Sequence, residues 1–274
     1  MERELERQGV RYRLVRTESL AHGVAEARTA ADDGEIPVVM SGDGLVGQVG
    51  GALASTETPL GIIPGGRGND LARVLGIPSE PAGAVGLLAE GSERRIDVGE
   101  ANDRRFLCIA SFGFDSECNR IANETKLIRG NLVYAYSVPR ALAAWRPARF
   151  EFTVDDGEPV TFTGWSVAIA NSQAFGGGMY VAPRAELDDG LFDIVTIDSS
   201  VGKLRYLANL PKVFKGNHLG DQGVSELHAA GSKVTVSADR DFAVYADGEH
   251  LTDLPATLRV LPRALRVIAP SAST

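Results

Sequence analysis

Two cysteines in 274 residues, Cys108 and Cys118, leave no material for a disulfide framework and suit a reducing compartment. Neither belongs to a CxxC pair. The four histidines (His22, His218, His228, His250) are scattered without ligand spacing, which argues against a structural zinc site. No apolar run reaches the roughly 18 residues that a membrane span requires. No basic–apolar–small-residue leader stands at the start, so export by that route is not expected. Basic residues number 28 against 36 acidic ones, for a net charge of −8. Nucleic-acid binding needs a basic face to displace counterions and is not expected here. The chain has no GxxxxGK[ST] element, which excludes a P-loop NTPase. Repeats and low-complexity stretches are also missing.

What remains is a composition of 44% hydrophobic and 23% charged residues, ordinary for a globular protein. At roughly 150 residues per domain the length suggests two domains. In the first third, helical and strand patterns alternate. Ser19 can cap a helix ending near Gly34, and residues 36–40 and 60–63 are short apolar strands. Helical stretches fall at 45–54, from Asn69, which caps its helix, to Leu75, and at 81–90. Such alternation implies a parallel sheet with helices on its faces. From about residue 97 the texture becomes a series of strands with turn signals such as Asp155-Asp156-Gly157 and Asp247-Gly248, interrupted by helices near 117–146 and 200–215, the second of which Pro211 can break. The expected fold is therefore α/β plus β. Residues 1–96 form a Rossmann-like α/β domain and residues 97–262 an antiparallel β-sandwich. Residues 263–274 can return to the first domain.

Two glycine-rich turns stand at the ends of the first two strands. Ser41-Gly42-Asp43-Gly44 fits the start of GxGxxG, a weak signal that also describes a tight turn binding nothing. Asp43 repels phosphate unless a cation intervenes, which points to a magnesium–nucleotide complex. The second turn is Pro64-Gly65-Gly66-Arg67-Gly68-Asn69-Asp70, again before a helix. Two such turns after successive parallel strands lie side by side at the carboxyl edge of the sheet, where open α/β folds bind ligands. Arg67 supplies a charge suited to phosphate, or is simply an exposed loop arginine. In the second half, Asp188-Asp189-Gly190 is an acidic turn able to offer a carboxylate and a carbonyl to magnesium, although turns are often acidic for solubility alone.

These two turns, with Leu75-Gly76-Ile77-Pro78, Gly113-Phe114-Asp115, Gly130–Tyr134, Gly176–Met179, Ala182-Pro183, Leu187–Asp193 and Asp247-Gly248-Glu249 in order, resemble the diacylglycerol kinase catalytic family, which includes bacterial lipid kinases and sphingosine kinases. The resemblance spans nearly the whole chain. It implies an ATP-dependent lipid kinase with its active site between an α/β domain and a β-sandwich, diacylglycerol as the first acceptor to test, and a role in lipid metabolism and phospholipid biosynthesis. It assigns Ser41, Gly42, Asp43, Gly44, Gly65, Gly66, Arg67 and Asn69 to the nucleotide. It assigns Asp189, the carbonyl of Leu191 and Glu186 to a Mg2+ ion, with a separate magnesium on ATP. Glu249 becomes the general base, or Asp43 in the sphingosine-kinase branch; the sequence leaves that choice open. Asp115 and Glu117 are candidates for recognising the acceptor head group. The implied setting is cytoplasmic, in peripheral contact with the inner face of a membrane, and a homodimer is left open.

Four departures stand against the family pattern. Leu45 replaces a common threonine, Gly47-Gln48 a frequent asparagine–glutamate pair, and Arg67 a phosphate-contacting threonine. The family's first strand and its NPxxG-like turn do not precede Met1, so a longer native chain or weakened ATP binding is expected. Two alternatives follow. One is a non-catalytic lipid- or nucleotide-binding relative. The other is an NAD kinase, for which Asn123-Glu124 is the single Asn–Glu dipeptide in the chain. A plain NAD dehydrogenase gives Asp43 and the acidic turns no role.

Overall fold

A computed structural model describes residues 2–125 and 132–271; of the sequence motifs, Gly130–Tyr134 begins outside the described residues. The N-terminal part runs α1 (Glu2–Arg7), α2 (Leu20–Asp32), β1 (Val38–Ser41), α3 (Asp43–Leu53), β2 (Gly61–Pro64), α4 (Asp70–Val74) and α5 (Pro81–Glu90). The Ser19 hydroxyl does cap α2, accepting the His22 N–H at 3.1 Å. β1 and β2 pair in parallel from Val38↔Gly61 to Ser41↔Pro64, so both strands end at one edge. The expected parallel sheet is thus a two-stranded ribbon among the described residues.

The remainder runs β3 (Ser92–Ala101), β4 (Arg104–Phe106), β5 (Ile109–Gly113), α6 (Phe114–Glu124), α7 (Leu132–Ala144), β6 (Ala148–Val154), β7 (Val160–Ala170), β8 (Phe192–Asp198), α8 (Lys203–Val213), β9 (Val224–Gly231), β10 (Lys233–Ala238), β11 (Ala243–Ala246), β12 (Glu249–Asp253) and β13 (Ala256–Ala269). These strands make an antiparallel β-sandwich. The path β12-β11-β5-β7-β6-β10-β13-β3-β4 is continuous, with β8 and β9 added beside β7. β7 pairs with β6 through its first half and with β5 through its second, which lets one sheet fold over into two layers. Between the layers lies an aromatic core of Phe106, Phe112, Phe114, Phe150, Trp165 and Phe192.

A second core joins the two halves. Val46, Val49, Leu53, Leu60, Ile63 and Leu71 pack with Ile96, Val98, Leu107, Ile109, Leu265 and Val267. β3, which sequence patterning does not announce, runs unbroken through the boundary placed at 96/97, and its partner β13 reaches back to β2. There Leu60 N–H donates to Arg266 O and Ile268 N–H to Leu60 O, at 2.9 and 3.0 Å. Helix α3 meets the sandwich on a glycine face. A Cβ at Gly50 falls 2.6 Å from Leu107 Cδ1, one at Gly51 falls 3.1 Å from Arg105 Cβ, and one at Gly47 falls 3.0 Å from Asp247 Oδ2. Glycine inside a helix costs up to about 1 kcal/mol relative to alanine, and here it permits an approach no larger residue allows. The departure at Gly47 therefore has a structural reason: it makes room for Asp247.

Candidate active site

The two turns at the β1 and β2 ends are in backbone contact. Gly65 N–H donates to Ser41 O at 3.0 Å. A Cβ on Gly66 would overlap Gly42 Cα at 2.3 Å, so the second turn can lie on the first only with glycine at 66, while one on Gly42 would press on Gly66 Cα at 3.1 Å. Asn69 was expected to cap α4. Instead it has φ of 50° and makes no side-chain cap bond to that helix. Its Oδ1 accepts Gly66 N–H at 2.8 Å and its Nδ2 donates to Gly66 O at 3.0 Å, which braces the glycine turn. A short amide in the left-handed region does this well because it bonds the backbone of its own loop. Arg67, on that loop, is exposed and makes no ion pair among the described residues.

Asp43 is the first residue of α3, and its Oδ1 accepts Asp70 N–H, the first of α4, at 2.6 Å. A carboxylate at one helix start thus receives an N–H from the next, a favourable placement at both N-termini. Its other oxygen, Oδ2, lies 2.5 Å from where a Cβ on Gly68 would be, directly beside the second turn. From the β-sandwich, the β11–β12 hairpin brings Glu249 over the start of α3. Its Oε1 is 3.6 Å from a Cβ position on Gly44. Asp43, Ser41–Gly44, Gly65–Asn69 and Glu249 therefore share one place, although 200 residues of chain separate the outer members.

Two further carboxylates, Asp70 and Asp247, build this place, and a third, Asp97, braces another turn. Asp70 is 3% exposed and accepts Gly177 N–H with Oδ2 (2.8 Å) and Gly178 N–H with Oδ1 (2.6 Å), tying the Gly176–Gly178 turn to α4. Burial raises its pKa, with the Asp43 charge acting the same way against the two N–H groups. Asp247, read from sequence as a hairpin signal, accepts Leu107 N–H at 2.7 Å and Cys108 N–H at 3.0 Å. Burial pushes it up to about 6. The buried Cys108 thiol beside it is also pushed up, first by burial and then by Asp247 and Asp43, so it stays protonated and unreactive. Asp97 lies fully buried elsewhere and accepts Gly190 N–H and Arg263 N–H, each at 2.6 Å. Its one local signal is an aspartate between two β-branched apolar residues, Ile96 and Val98. Asp70 stood in a turn already singled out, but its long-range partners could not be read from local spacing.

The other expected site residues lie apart from the two turns. Asp189 is exposed, and its Oδ1 accepts its own turn's Leu191 N–H at 2.9 Å. Glu186 is exposed too, and no three His, Cys, Asp or Glu side chains converge into a metal cage among the described residues. The neighbourhood is nonetheless acidic: Asp97 is raised by burial first and then by Asp189 and Asp188, an environment that suits a cation. Asp115 opens α6 inside an aromatic enclosure. Tyr206 Oη donates to its Oδ1 at 3.1 Å, and burial lifts its pKa to about 6. Tyr206 stacks on Trp165 with ring centres 4.8 Å apart, and Phe114 sets its edge or face against Trp145, Trp165 and Tyr206. Glu117, by contrast, is paired with Arg120 at 2.7 Å. The structure therefore encloses Asp115 and turns Glu117 to an ion pair on the same helix. Asn123-Glu124 falls inside α6, as the sequence reading had it.

Comparison with known proteins agrees with this layout. A family model described as the diacylglycerol kinase catalytic domain matches residues 1–101, and one described as the YegS C-terminal NAD kinase beta sandwich-like domain matches residues 108–269. The diacylglycerol kinase of Mycobacterium tuberculosis is 34% identical over 250 residues, covering 89% of this chain and 80% of the relative. That of Staphylococcus aureus is 28% identical over 280 residues, covering 98% and 85%. Among solved structures, a diacylglycerol kinase from Bacillus anthracis superposes with a TM-score of 0.72 at 21% identity, covering 95% of this chain and 85% of that one. An NAD kinase from Archaeoglobus fulgidus, solved in complex with ATP, reaches 0.52 at 14% identity, covering 98% and 87%. The two folds are alike, and the sequence relatives favour the diacylglycerol kinases over the NAD kinase alternative.

Proposed function

This chain belongs to the diacylglycerol kinase catalytic family, and from that premise we propose that it transfers the γ-phosphoryl group of ATP to the hydroxyl of a membrane lipid, diacylglycerol first among the acceptors. The observation that carries the reading is Glu249 set beside Gly44, the neighbour of Asp43, at the two interlocked glycine turns. The backbone N–H groups of Gly42–Gly44 and Gly65–Gly68, at two helix starts, are suited to cradle the nucleotide's phosphates, and Arg67 can reach their outer oxygens. Magnesium is usually held by one or two carboxylates together with phosphate oxygens, and Asp43 is the carboxylate placed for that role. Bound there, the ion neutralises charge on the phosphates. A second, structural ion at Asp189, the Leu191 carbonyl and Glu186 fits the acidic surroundings of that turn.

Phosphoryl transfer asks the protein mainly for positioning and charge stabilisation. Glu249 is the proposed acceptor of the lipid hydroxyl's proton as the oxygen attacks the γ-phosphorus in line and the bond to the β,γ-bridging oxygen breaks, releasing ADP. Help of this kind is worth typically about 10²–10⁴-fold. Asp115, enclosed by aromatic rings at the end of β5, is the proposed head-group contact. Glu117 has the weaker claim because Arg120 already occupies it.

The test is turnover with ATP over a panel of diacylglycerol, monoacylglycerol, sphingoid bases, ceramide and phosphatidylglycerol. Glu249→Gln should lower kcat by about 10²-fold or more with little change in ATP KM. Asp43→Asn should raise the metal-dependent ATP KM as well. Loss of chemistry in Asp43→Asn at unchanged ATP affinity, with Glu249→Gln still active, would move the base to Asp43. A wild-type chain that binds nucleotide but turns over no lipid would be a non-catalytic relative.

A further inference from the structure

Helix α8 is basic and exposes a strip of apolar side chains. Between Asp198 and Asp221 the chain carries Lys203, Arg205, Lys212 and Lys215 and no acidic residue, in a protein of net charge −8. The helix buries Tyr206 and half-buries Leu210 and Val213. Its opposite side shows Leu204, Leu207, Ala208, Pro211 and, one residue past its end, Phe214, all exposed and spaced as one helical face. Leu204 is 84% exposed and Phe214 51%. Single exposed leucines are ordinary, whereas a contiguous apolar strip rimmed by charge marks an interaction surface. Pro211 was expected to break the helix. It lies on this outer face instead, where solvent can hydrate the carbonyl that its missing N–H leaves free, and the helix continues to Val213.

We propose that this face of α8 is the surface on which the protein docks to an anionic lipid bilayer, with the apolar strip entering the boundary between head groups and acyl chains and the four cations meeting lipid phosphates. Charge complementarity selects the bilayer: four cations flank an apolar strip on a helix that itself carries no acid, with Asp221 pairing one of them from the rim, the complement of a negatively charged apolar-cored plane. Arg205 bonds the exposed Gln222 (2.9 Å), Lys212 pairs with the half-buried Asp221 (2.7 Å) and Lys203 Nζ donates to Leu142 O (2.5 Å); all three cations are themselves exposed, where such contacts are weak enough to be exchanged for lipid phosphate.

The inference rests on the lipid-kinase reading and says from which side the acceptor arrives. From its inner side α8 reaches both parts of the cleft. Tyr206 Oη donates to Asp115 in the aromatic enclosure. Val213 O accepts Tyr180 N–H at 3.0 Å, two residues beyond the Gly178 whose own N–H binds Asp70. A helix seated on the bilayer therefore touches the proposed head-group residue at one end and the turn tied to the phosphate side at the other.

Sedimentation with vesicles of phosphatidylglycerol and phosphatidylcholine in equal parts, and with phosphatidylcholine alone, tests the surface without nucleotide. The wild-type chain should bind the first and not the second, about tenfold more weakly in molar salt. Leu204→Glu combined with Phe214→Ser should weaken binding at least about tenfold. Both side chains are exposed, so the unfolding curve and the phosphorylation of a short-chain, water-soluble diacylglycerol should be kept. A wild-type chain that stays in the supernatant, or a double variant that binds as the wild type does, would overturn the proposal. Vesicle binding that the double variant loses, in a chain without turnover on any acceptor, keeps the docking surface and removes the kinase reading. Turnover of the short-chain acceptor without vesicle binding does the reverse.

Discussion

Asp70 offers the sharpest test of how the cleft is held together. Its carboxylate accepts two N–H groups, from Gly177 at 2.8 Å and Gly178 at 2.6 Å, across 107 and 108 residues of chain. Asp70→Ala removes both acceptors. A donor left unpaired in a closed contact costs about 1–3 kcal/mol. Gly177 lies near the surface, where water can replace part of the loss, and Asp70 itself is raised by burial, so removing it also relieves a buried charge. Both effects put the net loss at about 2–3 kcal/mol for alanine. Asp70→Asn keeps one acceptor and presents an NH2 to the other N–H, for a loss of about 1–2 kcal/mol. Urea unfolding reads the difference, and for a chain of this size thermal midpoints should fall by roughly 5–10 °C for alanine. The order alanine, then asparagine, then wild type is the required result. Both variants within about 0.5 kcal/mol of wild type would show that the Gly176–Gly178 turn is held by other contacts. Equal damage from both would show that charge, and not acceptor count, makes the latch.

Arg67→Ala should raise the KM for ATP more than the KM for lipid, because an unpaired cation on a glycine turn has phosphate as its natural partner; an unchanged ATP KM returns it to the role of an exposed loop residue. Gly66→Ala forces a methyl against Gly42 Cα, and should destabilise by about 1–3 kcal/mol and weaken nucleotide binding in a titration, whereas alanine at the open Gly86 on α5 should be neutral or stabilising. Asp115 binds its proton more tightly folded than unfolded, at about 6 against 3.8. The folded state therefore holds more protons between those values, and stability falls as pH rises through that window, by roughly 3 kcal/mol at most. Asp115→Asn should flatten that part of a plot of urea midpoint against pH, although Asp247, also held near 6, leaves a residual slope; an unaltered profile would place the titration elsewhere.

The local elements were largely legible because they depend on neighbours in sequence. The Ser19 cap, the apolar runs of β1 and β2, and the Pro81 start of α5 each act over a few residues. So do the two glycine turns, whose need for small residues at strand ends shows in composition alone. Ordered motifs from Ser41 to Glu249 also carried the family. What the sequence did not reveal was set by long-range pairing. β3 is recognisable only beside β13, because its first half is Ser92-Glu93-Arg94-Arg95, whose apolar pattern is poor and whose ladder comes from a partner some 170 residues away. Asn69 looked like a helix cap and is a loop brace, since its left-handed backbone points the amide back at Gly66. Pro211 looked like a break and lies on a solvated face. Asp247 is the hairpin residue it looked like, and what the sequence did not show is that its carboxylate also ties the hairpin to Leu107 and Cys108 beside α3. Sequence fixes which side chains carry acids, cations and glycines, because that is chemistry; only tertiary structure decides which of those acids meet, since a buried carboxylate is defined by the distant N–H groups that fold around it.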